Sequence, residues 1–395
     1  MENRISELKS DLSIELVRIL DYWKEHTVDL EQGGFYGRID HQGFVDATAP
    51  KGLVLNARIL YAFSAGYRKT KQAQYLQMAQ RAFKYLCTYF YDKTFGGMFW
   101  AVDADGKPLD TKKQVYGIAF CIYALSEYHI AFESKEALVL AKELYELLEA
   151  KSYDKVNGGY FEAFTQVWTL LESPKLSNKD QDSPKTMNTH LHVLEAYSNL
   201  YLIWPHQKVK ESIVGLLNNF KHQFLSPNGH LQLFFSNNWM LESDTISYGH
   251  DIEASWLIWE AAKLVEDEQQ LLTTKEMILS IAQAARKGLD TDGSLLNESN
   301  TELTVWNKER HWWQQAEAMV GWMNAWQLNG LQENFETVID CWSFIKTHLF
   351  DQEKGEWFWG VNQDYSKMIQ EDKAGFWKCP YHNTRMCIEM LHRLN

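Results

Sequence analysis

The sequence lacks most of what would send a chain to a membrane, a nucleic acid or an oxidising compartment. No stretch approaches the roughly 18 to 20 unbroken apolar residues of a membrane span. The opening MENRISELKSDLSIELV is charged throughout, without the apolar core of a secretory signal. The five cysteines, Cys87, Cys121, Cys341, Cys379 and Cys387, are odd in number and sit in helix-like runs, so they read as reduced core residues. A cytoplasmic location is the expectation. Basic residues are also short: 39 Lys and Arg against 52 Asp and Glu give a net charge of -13. Nucleic acids and anionic membranes need a positive footprint, so a neutral small molecule is the expected partner.

Signatures of bound groups are missing too. There is no strand followed by G-x-G-x-x-G, no G-x-x-x-x-G-K-[ST], no His-Glu-x-x-His and no zinc-type cysteine pairing. The expectation is chemistry by side chains alone, with no cofactor and no metal. A facial set drawn from His192, His250, Glu253 and His382 is the competing reading. No Pro- or Ser-rich linker divides the chain, so residues 1–395 read as one domain.

What is present is a repeat. A glycine-and-aromatic turn recurs as GGFYG at Gly33, GGMFW at Gly96, GGYFE at Gly158, NGHLQLF at Asn228, DGSLLN at Asp292 and KGEWFWG at Lys354. The intervals, roughly 62 to 70 residues, hold two helices plus a hairpin. Apolar residues at helical spacing predict pairs such as Leu53 to Gly66 with Tyr75 to Tyr91, and His250 to Val265 with Leu271 to Gly288. If the first helix, Ile5 to His26, pairs with the last, Tyr381 to Leu394, twelve helices close into a ring of six inner and six outer members. An open solenoid is the alternative.

The unusual polar residues cluster near the starts of the first helix of each pair: Arg58, Tyr116, Asn188 and His192, His250 and Glu253, Trp313, Gln315 and Glu317, then Trp377, His382 and Arg385. One polar group per repeat at the same place is what a shared central pocket produces. His250 and Glu253 stand three apart, on one helix face, where the carboxylate would fix the imidazole tautomer and raise its basicity. His190 and His192 are two apart and cannot both point inward. Trp312, Trp313 and Trp377 are either core or platforms for sugar rings, with Arg58, Asn188, Gln315 and Glu317 as partners for hydroxyls.

These motifs carry a resemblance. GGFYG, MNTHLH, SYGHDIEASWL, WWQQAEA and WKCPYHNTRM, from near Gly33 to Met386, resemble the N-acylglucosamine 2-epimerase superfamily, and within it most the cellobiose 2-epimerase branch. The resemblance implies an all-α fold, an (α/α)6 barrel of twelve helices with short β-hairpins at one rim. It implies reversible conversion of a reducing-end glucose to mannose in β-1,4-linked disaccharides such as cellobiose and lactose, without metal or nucleotide. It implies His250 and His382 as the acid–base pair, assisted by His192, and a sugar site lined by Arg58, Tyr116, Asn188, Glu253, Trp313, Trp377 and Asp180. A monomer or weak homodimer is expected. The rival expectations are an aldose–ketose isomerase, an N-acylglucosamine 2-epimerase, a glycosidase and a non-catalytic binding protein.

Overall fold

The computed structural model describes residues 1–177 and 181–394. Among these described residues twelve α-helices form, in chain order α1 (Glu2–His26), α2 (Leu53–Thr70), α3 (Ala73–Tyr85), α4 (Val115–Phe132), α5 (Lys135–Lys151) and α6 (Met187–Ile203). They continue with α7 (Gln207–Asn219), α8 (Tyr248–Val265), α9 (Glu268–Ala285), α10 (Trp312–Asn329), α11 (Gln332–Phe344) and α12 (Tyr381–Arg393). The even-numbered helices touch in sequence, and α12 returns to α2, so the ring is closed; α1 packs outside α12 as its pair. The fold is the expected (α/α)6 barrel.

Burial explains which helix goes where. The inner helices carry apolar or small residues on every side because both faces are covered, as in the run from Val115 to Leu125 of α4. That helix is long and apolar enough to cross a membrane by composition, yet it is mostly buried in the barrel wall. The outer helices bury one stripe, such as Tyr75, Ala79, Ala82 and Phe83 in α3. Three outer helices, α3, α7 and α11, finish in five-residue π-turns, Leu86–Phe90, Phe220–Phe224 and Ile345–Leu349.

Each glycine turn is closed by one antiparallel bridge, for example Val28 with Phe35 and Tyr153 with Tyr160. Short strands then join neighbouring repeats, as when Lys113–Gln114 pairs with Ala163–Phe164. Gly34 needs its left-handed backbone, φ +65°, and a Cβ there would lie 2.6 Å from the Tyr85 ring. In the sixth turn the second left-handed residue, after Gly355, is Glu356 (φ 58°), whose carboxylate binds Lys378 (3.0 Å), Asn383 (2.7 Å) and the Trp23 indole (2.5 Å). Those bonds offset the backbone strain.

A buried ion pair pins most turns to the helix that follows. Asp29, Asp92 and Asp154 each accept two amides of their own turn. Each also takes the ammonium just before the next inner helix, Lys51, Lys113 and Lys185 respectively, at 2.7 Å. Arg310–Asp290 and Lys373–Asp351 repeat the device. The fourth turn has Ser226 in the aspartate's place and is held instead by His230, 2.7 Å from Asp251 on α8.

Candidate active site

The polar residues gather because they occupy equivalent steps of the inner helices. The sixth residues of α2, α4, α6, α8 and α10 are Arg58, Phe120, His192, Glu253 and Glu317. The second residues of α4, α6, α10 and α12 are Tyr116, Asn188, Trp313 and His382. Positions two and six are four apart and share a face, so a closed ring turns all of them toward its axis at one end. In α8 the second residue is Gly249, where a Cβ would come within 2.7 Å of the Trp313 ring. Its lack of a side chain admits Trp313, and the third residue, His250, meets that indole at a centroid distance of 4.8 Å. His382 lies 5.8 Å from the same indole.

Arg385, buried on α12, organises the carboxylates. Its guanidinium donates to Glu253 and Glu317 at 2.7 Å each and also to Glu195. Glu317 Oε1 lies 2.7 Å from His382 Nδ1, and its Oε2 accepts from the Trp256 indole at 3.1 Å. Glu195 Oε2 lies 2.9 Å from His192 Nδ1. Among the described residues no carboxylate bonds His250: its Nδ1 lies 2.8 Å from the Ser247 hydroxyl. The expected His250–Glu253 pair does not form, because the guanidinium of Arg385 claims Glu253 and the imidazole turns to Ser247.

Arg58 donates to the Tyr116 hydroxyl at 2.8 Å and lies over the rings of Phe120 (4.1 Å) and Tyr381 (4.8 Å). Tyr116 meets His192 edge-on at 5.1 Å and Trp377 at 6.1 Å. Asn188 and His250 line a cavity of about 400 Å³ that also touches Glu162, Thr186, Gln181 and Thr245, within the size range of small-ligand sites. The buried Oδ1 of Asn188 has no hydrogen-bond partner among the described residues. A larger cavity, about 720 Å³, lies between α5 and α7 and includes none of these residues.

Burial sets the protonation states. It pulls His250 down to about 3, with His192 adding to the effect and Glu317 opposing it. Burial lowers His192 despite the pull of Glu195. His382 falls well below its usual value through burial and the charges of Arg58 and Arg385. All three imidazoles are therefore neutral near pH 7 and can accept a proton. Burial alone would raise Glu195, but Arg385 and the His192 hydrogen bond outweigh it and hold the carboxyl at about 2. Burial and mutual repulsion raise Glu253, and burial raises Glu317. Three carboxylates facing one guanidinium cannot all ionise freely.

Other expectations resolve differently. His190 accepts the Tyr160 amide at 2.9 Å and so ties a turn to α6, leaving His192 as the inward member. Gln315 does not reach the site: it brackets the backbone of Leu295, at 2.8 Å on both its N–H and its C=O. Trp312 packs on Trp359 at 4.5 Å and under Lys378. Asp180 lies outside the described residues. Of the facial set His192, His250, Glu253 and His382, the described residues bring only Glu253 and His382 into one possible ligand cluster, with Glu317 as its third member, donor atoms within 4.8 Å of one another. The cationic position between those two carboxylates is taken by Arg385. Glu195 was missed, although it follows His192 at the same three-residue spacing that singled out Glu253.

A comparison with known families matches residues 34–385 to the N-acylglucosamine 2-epimerase model. A cellobiose 2-epimerase of Bacteroides fragilis is 47% identical over 97% of this chain and 98% of its own. The structure of a cellobiose 2-epimerase from Spirochaeta thermophila superposes with a TM-score of 0.93 at 40% identity, covering 99% of this chain and 98% of that one. The crystal structure of a D-mannose isomerase gives 0.86 at 22% identity, over 97% of each chain, a likeness of fold.

Proposed function

The chain belongs to the N-acylglucosamine 2-epimerase family, and from that premise we propose that it epimerises the reducing-end glucose of β-1,4-linked disaccharides, cellobiose or lactose, to mannose. The observation that carries this reading is the pair His250 and His382, both neutral and both against the Trp313 indole.

The hydrogen on carbon 2 is acidic only when carbon 1 is a carbonyl, so the ring must open first, with a proton leaving the anomeric hydroxyl and one reaching the ring oxygen. An imidazole that holds one N–H and one lone pair can serve both transfers. A second imidazole then takes the carbon 2 proton, leaving an enediolate whose charge the Arg58 guanidinium can stabilise. Return of a proton to the opposite face of carbon 2, from the other imidazole in its protonated form, inverts the centre; the two histidines then hold exchanged protonation states, and proton exchange with water restores the starting enzyme. His250 and His382 are assigned to that exchange, with His192 assisting. Each is worth on the order of 10²- to 10⁴-fold as a general acid or base. Indole faces at Trp313 and Trp377 suit the apolar faces of sugar rings.

A glycosidase would need one carboxyl free to protonate a leaving group and another to attack or activate water. Here Glu195, Glu253 and Glu317 are all bound to Arg385. An aldose–ketose isomerase would share the enediolate and return the proton to carbon 1. Chromatography of products from cellobiose and, separately, from mannose distinguishes the readings. Glucosyl-mannose from cellobiose supports epimerisation; fructose from mannose with cellobiose untouched overturns it.

A further inference from the structure

We propose that Glu195 is a positioning residue for the reaction, fixing the tautomer of His192 and tying that imidazole to Arg385. Its kinetic consequences rest on the epimerase reading; its effect on the tautomer does not.

Glu195 is the ninth residue of α6, one turn beyond His192, and is buried. At the ninth position of the other inner helices stand Tyr61, Tyr123, Trp256, Val320 and Glu389, and only in α6 does a carboxylate there meet a histidine at the sixth. The Tyr381 hydroxyl approaches both carboxylate oxygens, at 2.6 and 2.8 Å, and Arg385 donates to Oε1. With the arginine and the tyrosine both donating to it, Glu195 is anchored to α12 as an acceptor. The remaining contact, Oε2 to His192 Nδ1 at 2.9 Å, therefore places the imidazole proton on Nδ1 and leaves the lone pair on Nε2. A free imidazole would divide between two tautomers and several ring orientations; here one of each is selected.

The arrangement also has a counterpart. His382 is held through Nδ1 by Glu317, and Glu317 shares Arg385 with Glu195. Two histidine–carboxylate pairs thus hang from a single guanidinium, which keeps Glu195 ionised and aimed. Carboxylates in this outer position orient a catalytic imidazole without touching substrate.

The test uses Glu195→Gln and Glu195→Asp in the full chain, read by nitrogen-15 NMR of labelled histidine and by pH-dependent kinetics with cellobiose. In the parent protein His192 is expected to show one tautomer, protonated at Nδ1. In Glu195→Gln the tautomers should mix, and kcat should fall about 100-fold with KM little changed. The acid limb of the kcat profile should move to lower pH, because losing the neighbouring anion lowers the imidazole pKa. Glu195→Asp should recover part of both signals, and it also serves if the glutamine variant does not fold. An unchanged His192 tautomer, together with a pH profile parallel to that of the parent, would overturn the proposal. A changed tautomer in a protein whose parent form leaves cellobiose untouched would uphold the positioning role and sink the epimerase reading alone.

Discussion

His382 Nδ1 and Glu317 Oε1 are 2.7 Å apart at the centre of the barrel, joining α12 to α10 across 65 residues of sequence. The carboxylate also accepts from Arg385, so it holds the imidazole proton on Nδ1 and leaves the lone pair on Nε2.

Glu317→Gln keeps the shape and removes the charge. Initial rates with cellobiose should show kcat lower by about 100-fold or more, with KM changed far less, since the lost interaction matters most when the imidazole becomes charged. A kcat within threefold of the parent would refute this role.

Gly249→Ala tests the close approach of Trp313. The added Cβ would meet the Trp313 ring at 2.7 Å and the Gln314 side chain at 2.5 Å, so the indole must shift away from His250. Misplacement on the order of 1 Å can cost about 100-fold in rate. Steady-state kinetics should therefore show a large loss of kcat/KM; a variant as active as the parent would mean that the indole does not position the sugar.

The ring and its turns were legible because their causes are local. Left-handed glycines followed by aromatics mark the hairpins, and helices apolar all round mark the inner wall. The cluster at the inner-helix starts was legible for the same reason. Three-residue spacing alone does not make a pair. It put Glu253 beside His250, but Arg385, 132 residues farther along the chain, binds Glu253 more strongly than a neutral imidazole could. Identical spacing at His192 and Glu195 does give a pair, and nothing local marks it, because Glu195 sits in an ordinary-looking helical run. Aligning the six inner helices by their first residues would have singled out His192 over His190, since it falls at the same step as Arg58, Glu253 and Glu317.

The buried Lys113–Asp92 pair predicts a stability effect remote from the site. Lys113→Met leaves Asp92 charged and buried with Gln166 and two turn amides for company. Urea unfolding should show a loss of about 3–5 kcal/mol, and adding Asp92→Leu should recover part of it. A loss under 1 kcal/mol would contradict the pinning role.

Buried histidines also make stability depend on pH. Burial pulls His190 to about 3, with the charge of Lys185 adding to the effect. Its folded value thus lies below its unfolded one, so its contribution is present above about 6.5 and is lost as pH falls toward 3. Its share of the slope is at most about 1.4 kcal/mol per pH unit. Unfolding free energies measured from pH 6.5 to 5 should fall less steeply for His190→Gln than for the parent; parallel curves would contradict the assignment.

The central claim is proton exchange at carbon 2 between two histidines. The direct measurement is proton NMR of cellobiose incubated with the protein in deuterated water, repeated with His250→Ala and His382→Ala. Glucosyl-mannose carrying deuterium at carbon 2, with that product lost in both variants, is the predicted result. Mannose formation without deuterium incorporation at carbon 2, or full activity in either variant, would contradict it.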